Sequence, residues 1–230
     1  MNKVVDAVVI GGGIEGLANA YCLSRCGLSV ILVERGDLVA GTSSRCDGNN
    51  YISDSAPGEI TQLMKLAVYE MKRVVTTELD YDVDWIQNGM FLLAENEWQM
   101  EQARKQMQEK LADGVQVREV DSRELHEAEP NLASDIYGAL EFMEGGSLSP
   151  ILLGFALGEM IKKQGGELWR FTEVIGLGIN SDGTIGKVET TNGDIITKNV
   201  ILAAGVWSPD IGKMVGIDIP VTIGNCETGL

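Results

Sequence analysis

The feature that most constrains this chain is a glycine-rich turn between an apolar strand and a helix near the start of the sequence. Residues 4–10 are mostly apolar and lead directly into the segment Gly11–Gly16. In such a unit Gly11 permits the tight turn, Gly13 has no side chain to obstruct a pyrophosphate, and Gly16 lets the helix lie close to the strand. The pattern therefore predicts a dinucleotide site.

The residues after the turn support this prediction. The amides of Ile14 and Glu15 begin the helix, where free N–H groups and the helix dipole favour bound phosphate. A second apolar strand at residues 29–33 ends in Glu34. The Glu34 carboxylate is placed to accept hydrogen bonds from both hydroxyls of an adenosine ribose, and it would repel a 2′-phosphate. This unit fits NAD and FAD equally well.

The charge of the chain excludes two classes of partner. The sequence has 230 residues, and 34 acidic against 18 basic residues give a net charge of −16. Such a field repels nucleic acid and anionic membranes. No apolar run approaches the ~20 residues that span a bilayer, and the first residues leave no room for a signal peptide. We therefore expect a cytoplasmic protein with no nucleic-acid partner and no membrane span.

Cysteine and histidine show no metal-site or nucleophile pattern. The four cysteines lack the C-x-x-C spacing of zinc and redox sites. We expect Cys22, Cys26, Cys46 and Cys226 to be reduced thiols packed in or near the core. The single histidine, His126, is expected to be a solvated residue on a short charged helix. We accordingly predict no metal site.

The order of predicted elements indicates an α/β domain interrupted by a smaller insertion. Residues 1–80 form its first segment, which contains the glycine turn, a long polar loop at 36–57 and an amphipathic helix whose apolar positions are expected in the core. Residues 81–145 are expected to form an insertion with its own small sheet and charged helices. Residues 146–220 return to the α/β domain, and 221–230 are a tail.

The second segment of the α/β domain bears on which dinucleotide is bound. Asp182-Gly183 and Asn192-Gly193 lie between alternating strands and predict a three-stranded antiparallel ribbon. A buried strand at residues 199–205 follows and ends in small residues. A simple NAD dehydrogenase would instead continue with alternating parallel strands and helices after Glu34. The arrangement therefore differs from that of a simple NAD dehydrogenase.

Five motifs follow one another along the chain: Gly11-x-Gly13-x-x-Gly16, Glu34-Arg35, Gly41-Thr42-Ser43-Ser44, Thr172-Glu173-Val174 and Ala203-Ala204-Gly205-Val206-Trp207-Ser208. In this order they resemble the D-amino-acid oxidase, glycine oxidase and sarcosine oxidase superfamily of FAD enzymes, up to about Pro220. Within it the chain is most similar to bacterial dehydrogenases and oxidases of secondary or substituted amino acids, such as D-hydroxyproline dehydrogenase, opine oxidase and hydrogen cyanide synthase-type subunits.

The resemblance implies an α/β fold, with a Rossmann-like FAD-binding domain of parallel sheet plus three-stranded ribbon and an inserted, incomplete α+β substrate domain. It also assigns roles to the matched residues. The pyrophosphate would be surrounded by Gly11, Gly13 and Gly16, with the amides of Ile14 and Glu15. The adenosine would contact Glu34, Arg35 and the backbone of Val174. The phosphates and ribityl chain would be reached by Thr42, Ser43 and Ser44, and the cofactor would pack on Ala203, Ala204, Gly205 and Trp207.

The implied activity is oxidation of the C–N bond of an amino acid or secondary amine. The flavin takes a hydride from the carbon next to nitrogen, and water hydrolyses the resulting imine. The implied partners are a small-molecule amine or amino acid and a second subunit or electron acceptor.

Two other hypotheses stay open. Gly41–Arg45 also resembles glycerol-3-phosphate dehydrogenases, which predicts oxidation of a hydroxy compound, and the third hypothesis is a non-catalytic FAD-binding subunit. The relatives run well beyond 230 residues, so we expect an N-terminal portion in which no catalytic residue can be assigned.

Overall fold

The computed structural model describes residues 3–224, which divide into two compact units. Unit 1 comprises the described residues up to Asp47, Leu79–Val83, and the chain from Ser149 onward. Unit 2 comprises Gly48–Glu78 and Asp84–Leu148. The predicted boundaries ran at 80/81 and 145/146. In the structure the chain passes between the units after Asp47, Glu78, Val83 and Leu148. The helix that begins at Glu59 packs within unit 2.

The secondary structure has the following bounds. The strands are β1 (Lys3–Val4), β2 (Ala7–Ile10), β3 (Val30–Val33), β4 (Asn49–Tyr51), β5 (Met90–Ala94), β6 (Val117–Asp121), β7 (Gly138–Phe142), β8 (Gly145–Ser147), β9 (Glu167–Trp169), β10 (Val174–Ile179), β11 (Ile185–Thr190), β12 (Ile195–Ile196) and β13 (Val200–Leu202). The helices are α1 (Ile14–Arg25), α2 (Glu59–Thr77), α3 (Glu97–Ala112), α4 (Ser122–Ala128), α5 (Pro150–Lys163) and α6 (Ser208–Lys213), with 3₁₀ turns at Thr42–Ser44 and Gly205–Trp207.

Unit 1 is built around a parallel sheet with the strand order β13-β2-β3-β9. Strands β2 and β3 consist of apolar residues that are all buried, as is typical of parallel strands covered on both faces. The carboxyl ends of parallel strands lie at one edge of a sheet, so the residues after β2, β3, β9 and β13 come together there.

An antiparallel ribbon covers one face of this sheet. Strands β10, β11 and β12 form the predicted three-stranded ribbon, and β1 extends it by pairing in parallel with β12. Alternate sheet residues, such as Val8 and Ile31, share a buried cluster with Val174 and Val188 of the ribbon.

Helices cover the other face. Leu32 and Leu168 are paired across β3 and β9, and a Cβ placed on Gly158 of α5 would lie 3.3 Å from Leu168 Cδ1. Helix α1 packs against α5 and the sheet. Unit 1 is therefore a three-layer α/β structure, as the resemblance implied.

Unit 2 contains an antiparallel sheet of order β5-β7-β6 and a two-stranded ladder of β4 and β8. Its core joins Met100 of α3, Leu140 and Phe142 of β7, and Val68 of α2. The apolar pattern of α2 located this buried face only in part. Val68 is buried, whereas Ile60 and Leu63, both expected in the core, are 51% and 61% exposed.

A buried lysine connects α3 to the segment that precedes α2. Lys110 is 1% exposed, and its Nζ donates to the carbonyl oxygens of Ile52 at 3.0 Å and Ser55 at 2.5 Å, and to Ser55 Oγ at 2.7 Å. Burial lowers the pKa of this amine, while nearby carboxylates, Asp113 foremost, partly oppose the shift. Buried charge is tolerated where hydrogen bonds satisfy it.

His126 is more constrained than the sequence suggested. Its Nδ1 lies 2.6 Å from the carbonyl oxygen of Ser122, and its Nε2 lies 2.9 Å from that of Ala133. Two carbonyl acceptors favour the doubly protonated ring, so these contacts raise the pKa of His126. The imidazole thus connects α4 to the following loop, and the interpretation as a simply solvated residue is wrong.

The expected burial of the cysteines is also wrong where it can be checked. Cys22, Cys26 and Cys46 are exposed thiols without a disulfide, while Cys226 lies outside the described residues. Cys22 lies on the outer face of α1, because that helix buries Leu17 and Ala20 instead, and Cys26 is the C-cap residue after the helix. Between residues 3 and 224 no helix has the length and apolar character needed to cross a membrane.

Candidate dinucleotide site

The glycine turn joins three elements of unit 1 at distances that exclude side chains. Gly11 has φ +117°, and a Cβ on it would lie 2.2 Å from the carbonyl oxygen of Ala203. A Cβ on Gly16 would lie 1.9 Å from the carbonyl oxygen of Gly11. Strand β2, helix α1 and the end of β13 can meet here only because these glycines carry no side chain.

Gly13 has a different environment. It is the N-cap of α1 with φ −76° and ψ 177°, and it supplies no side-chain cap to the helix. Among the described residues, leaving out its chain neighbours, only Ser43 Oγ lies within 4 Å of a Cβ built there, at 3.1 Å. The same hydroxyl accepts a hydrogen bond from the Ile14 amide at 3.1 Å. Ser43 thus lies at the start of α1, where phosphate oxygens are expected.

The carboxylate of Glu34 is held against the glycine turn. Its Oε2 accepts from the Gly12 amide and its Oε1 from the Gly36 amide, each at 2.7 Å. Each oxygen keeps further acceptor capacity. The structure therefore brings Glu34 to the end of β3 beside the turn, as predicted. The two amide donors carry no sequence signal of their own, although Gly12 lies inside the glycine triplet.

The Thr42–Ser44 turn approaches the site through one of its three hydroxyl residues. Ser43 makes the contact described above. Ser44 Oγ donates to the Gly41 carbonyl at 3.1 Å, within its own turn, and Thr42 is exposed. Arg45 secures the turn by donating to the carbonyl oxygens of Ala40 and Gly41 at 2.9 and 2.7 Å.

Two residues that the motifs placed separately come together. The Arg35 guanidinium carbon lies 4.3 Å from the centroid of the Trp207 ring, a cation–π contact. Both side chains are exposed. Trp207 is oriented by the 3₁₀ turn after β13, which begins at Gly205 with φ +55°. The Ala203 amide donates to the Ile10 carbonyl at 2.8 Å and fixes this segment beside β2.

The remaining predicted residues differ in their access to the site. Ile14 is half-buried and Glu15 is exposed on the first turn of α1, while Ala203 and Ala204 are half-buried. The Val174 side chain is buried in the core between sheet and ribbon. The Val174 side chain is therefore not available to a ligand, and the contact of its backbone with the adenosine stays a prediction.

The carboxyl edge of the sheet carries arginine side chains as well as carboxylates. Arg35, Arg45 and Arg170 lie near the carboxyl edge of the sheet, and Arg170 forms an ion pair with Asp37 at 2.9 Å. The Leu38 amide, and secondarily Arg170, lower the pKa of Asp37. Arginine side chains at this edge, together with the start of α1, suit a diphosphate. Within the described chain, no group of three or more His, Cys, Asp or Glu residues could hold a metal ion.

Comparison with known proteins gives consistent matches. A family model described as FAD dependent oxidoreductase (DAO) matches residues 6–226. Human mitochondrial sarcosine dehydrogenase is 28% identical over 229 residues, which cover 95% of this chain and 24% of that protein. Glycine oxidase from Bacillus subtilis is 28% identical over 241 residues, which cover 98% of this chain and 61% of the oxidase.

The comparison with solved structures also finds proteins of similar fold. L-amino acid deaminase from Proteus vulgaris superposes with a TM-score of 0.88 at 28% identity, covering 96% of this chain and 52% of the deaminase. The chain spans less than two thirds of each of these three proteins.

Proposed function

The chain belongs to the FAD dependent oxidoreductase (DAO) family, and from this premise we propose that it binds FAD and takes part in oxidising the C–N bond of an amino acid or secondary amine. The names of the similar proteins support the substrate class: sarcosine dehydrogenase, glycine oxidase and L-amino acid deaminase. Bound FAD would supply a hydride acceptor.

One observation carries the cofactor proposal, namely the glycine cradle with Glu34 beside it. The space next to Gly13 is bounded by the Ser43 hydroxyl at 3.1 Å rather than by packed backbone. The adjacent Glu34 carboxylate is already oriented by two amides. These residues fit a pyrophosphate followed by an adenosine ribose. Their task is to bind and orient the cofactor, with Ser43 giving up the Ile14 amide to a phosphate oxygen.

Three finer assignments belong to the same proposal. Unit 2 corresponds to part of an inserted substrate domain. A second subunit or an external electron acceptor receives the electrons from the flavin. The protein works in the cytoplasm, which is consistent with exposed thiols at Cys22, Cys26 and Cys46.

The experiment that tests cofactor binding is a titration of the purified protein with FAD, followed by flavin and tryptophan fluorescence. Gly13→Leu places a side chain in the cradle while keeping a backbone conformation that leucine adopts freely. We expect saturable binding by the unaltered protein and none by Gly13→Leu. The control Asn19→Leu introduces the same side chain on the exposed side of α1 and should leave binding unchanged. Equal binding by the Gly13 variant would contradict the proposal.

A second measurement tests the substrate class. The FAD-loaded protein is mixed anaerobically with sarcosine, proline or glycine, and in parallel with glycerol 3-phosphate. Bleaching of the flavin by the amines alone supports C–N oxidation. Bleaching by glycerol 3-phosphate alone would assign a hydroxy substrate, and bound flavin that no substrate bleaches would indicate a non-catalytic subunit.

A further inference from the structure

Phe171 combines backbone strain with exposure of an aromatic ring. Its φ is +52°, a left-handed conformation that is unusual for bulky residues and costs stability. Phe171 is 70% exposed. Glycine or asparagine adopts this backbone conformation more readily, and neither would expose an aromatic ring at this position. Packing within the described chain does not explain the phenylalanine, since the ring is not buried there.

The position of Phe171 relates it to the dinucleotide site. It follows β9, which lies beside β3 in the parallel sheet. The Phe171 amide donates to the Gly36 carbonyl at 3.0 Å, and the next amide, that of Thr172, donates to the Glu34 carbonyl at 2.9 Å. The Gly36 amide in turn holds the Glu34 carboxylate. Phe171 is thus fixed by backbone hydrogen bonds to the segment that carries the ribose acceptor.

The ring also has a defined neighbour. The Arg170 guanidinium carbon lies 5.8 Å from the centroid of the Phe171 ring, and Arg170 is itself held by Asp37. A cation at this distance orients an aromatic ring through its quadrupole. Because the residue is mostly exposed, ring surface stays available for a ligand.

We propose that Phe171 is a stacking surface for the adenine base of the dinucleotide whose ribose is bound by Glu34. This inference rests on the proposed function and extends it to a residue outside the matched motifs. The base is joined to the ribose by one bond, so a ligand fixed at Glu34 has its base close to the residues that bond to the Glu34 segment. Stacking on an exposed ring is favourable for every base and stronger for the larger purines.

The test compares binding of ADP and UDP to the purified full chain by isothermal titration calorimetry, with FAD titrated in parallel. Phe171→Gly removes the ring and relieves the positive φ. We expect its ADP affinity to fall by about ten- to a hundredfold and the preference for ADP over UDP to decrease, while its Tm stays equal or rises. Phe171→Trp should keep the preference. The control Ile175→Ala alters another exposed apolar residue, which is 60% exposed, and should change neither quantity.

The outcomes separate this inference from the proposed function. If the unaltered protein binds FAD and ADP, and Phe171→Gly binds ADP equally well, the stacking role is refuted while the proposed function stands. A large fall in Tm for Phe171→Gly would assign the ring to packing and would also overturn the inference. If the unaltered protein binds neither FAD nor ADP, both proposals fail.

Discussion

The strongest test of the site geometry is replacement of Glu34 by glutamine. In the structure both carboxylate oxygens accept hydrogen bonds from backbone amides, those of Gly12 and Gly36, at 2.7 Å. Such short N–H···O contacts are typical of charge-assisted hydrogen bonds. Glutamine has the same shape and only one acceptor oxygen, so its NH₂ group must face one of the two amides, donor against donor.

The expected loss of stability in Glu34→Gln follows from the number of acceptor oxygens. A hydrogen bond to a charged group contributes about 1.5–3 kcal/mol, and an amide left without a partner costs about 1–3 kcal/mol. Glu34→Gln loses one charge-assisted bond and weakens the other. Because Glu34 is half-buried, water can satisfy part of the loss. We therefore expect a decrease of about 2–3 kcal/mol in the local free energy of opening.

Amide hydrogen exchange measures this decrease where it occurs. We expect the Gly12 and Gly36 amides to exchange about 30–150 times faster in Glu34→Gln, as 1.4 kcal/mol corresponds to a tenfold change, and FAD affinity to fall with them. Glu173→Gln, at an exposed residue of the same unit, is the control and should leave both amides protected. Unchanged exchange at Gly12 and Gly36 would refute the structural role assigned to the carboxylate.

Two further predictions concern unit 2. Lys110→Met should destabilise it by about 2–4 kcal/mol in urea unfolding, because the carbonyl oxygens of Ile52 and Ser55 lose their donor; a change below about 0.5 kcal/mol would contradict this. Burial lowers the pKa of Lys110, so the unfolded chain binds the proton of this amine more tightly than the folded chain does. The contribution of Lys110 to the free energy of unfolding should therefore rise as the pH increases toward 10.5. Lys110→Met should lack this pH dependence. The pKa of His126 is raised instead. The stabilising contribution of His126 should be complete below pH 6.5 and should be lost as the pH rises through the raised pKa. The Tm difference between the unaltered protein and His126→Gln should therefore shrink from pH 5 to 8.5. A Tm difference that stays constant over this range would contradict the prediction.

Local chemistry explains which parts of the fold could be predicted. Turn dipeptides gave the antiparallel ribbon, and the glycine pattern gave the β2–α1–β3 unit, because each depends on residues close in sequence. The order β13-β2-β3-β9 was not predicted, since it depends on pairing between strands far apart in the chain. The exposed face of α2 was assigned to the core for a related reason. An apolar pattern gives the width of a helix face, while the contacts of its neighbours decide which part is buried.

The difference between residues close in sequence and residues far apart in the chain also matters within the candidate dinucleotide site. Glu34 could be placed because its distance from the glycine turn along the chain is set by one helix and one strand. The Arg35–Trp207 contact could not, although both residues lie in predicted motifs. It depends on β13 lying next to β2, so that the turn after β13 comes close to the end of β3. Phe171 carried no motif signal, because neither its φ nor its exposure is visible in the sequence.

The glycines of the turn do not all count equally as evidence for a ligand. Gly11 and Gly16 are required by the backbone itself, because a Cβ on either would collide with a carbonyl oxygen at 2.2 or 1.9 Å. A protein that packed these elements equally closely would need both glycines without binding anything. A Cβ on Gly12 would lie 2.8 Å from Glu34 Cγ, so Gly12 depends on the carboxylate. Gly13 has an ordinary backbone conformation, and the atom nearest to a Cβ built there is a serine hydroxyl oxygen rather than backbone, so packing does not require a glycine there. Its missing side chain is therefore the part of the motif that argues for a bound pyrophosphate, which makes Gly13→Leu the variant that separates binding from folding.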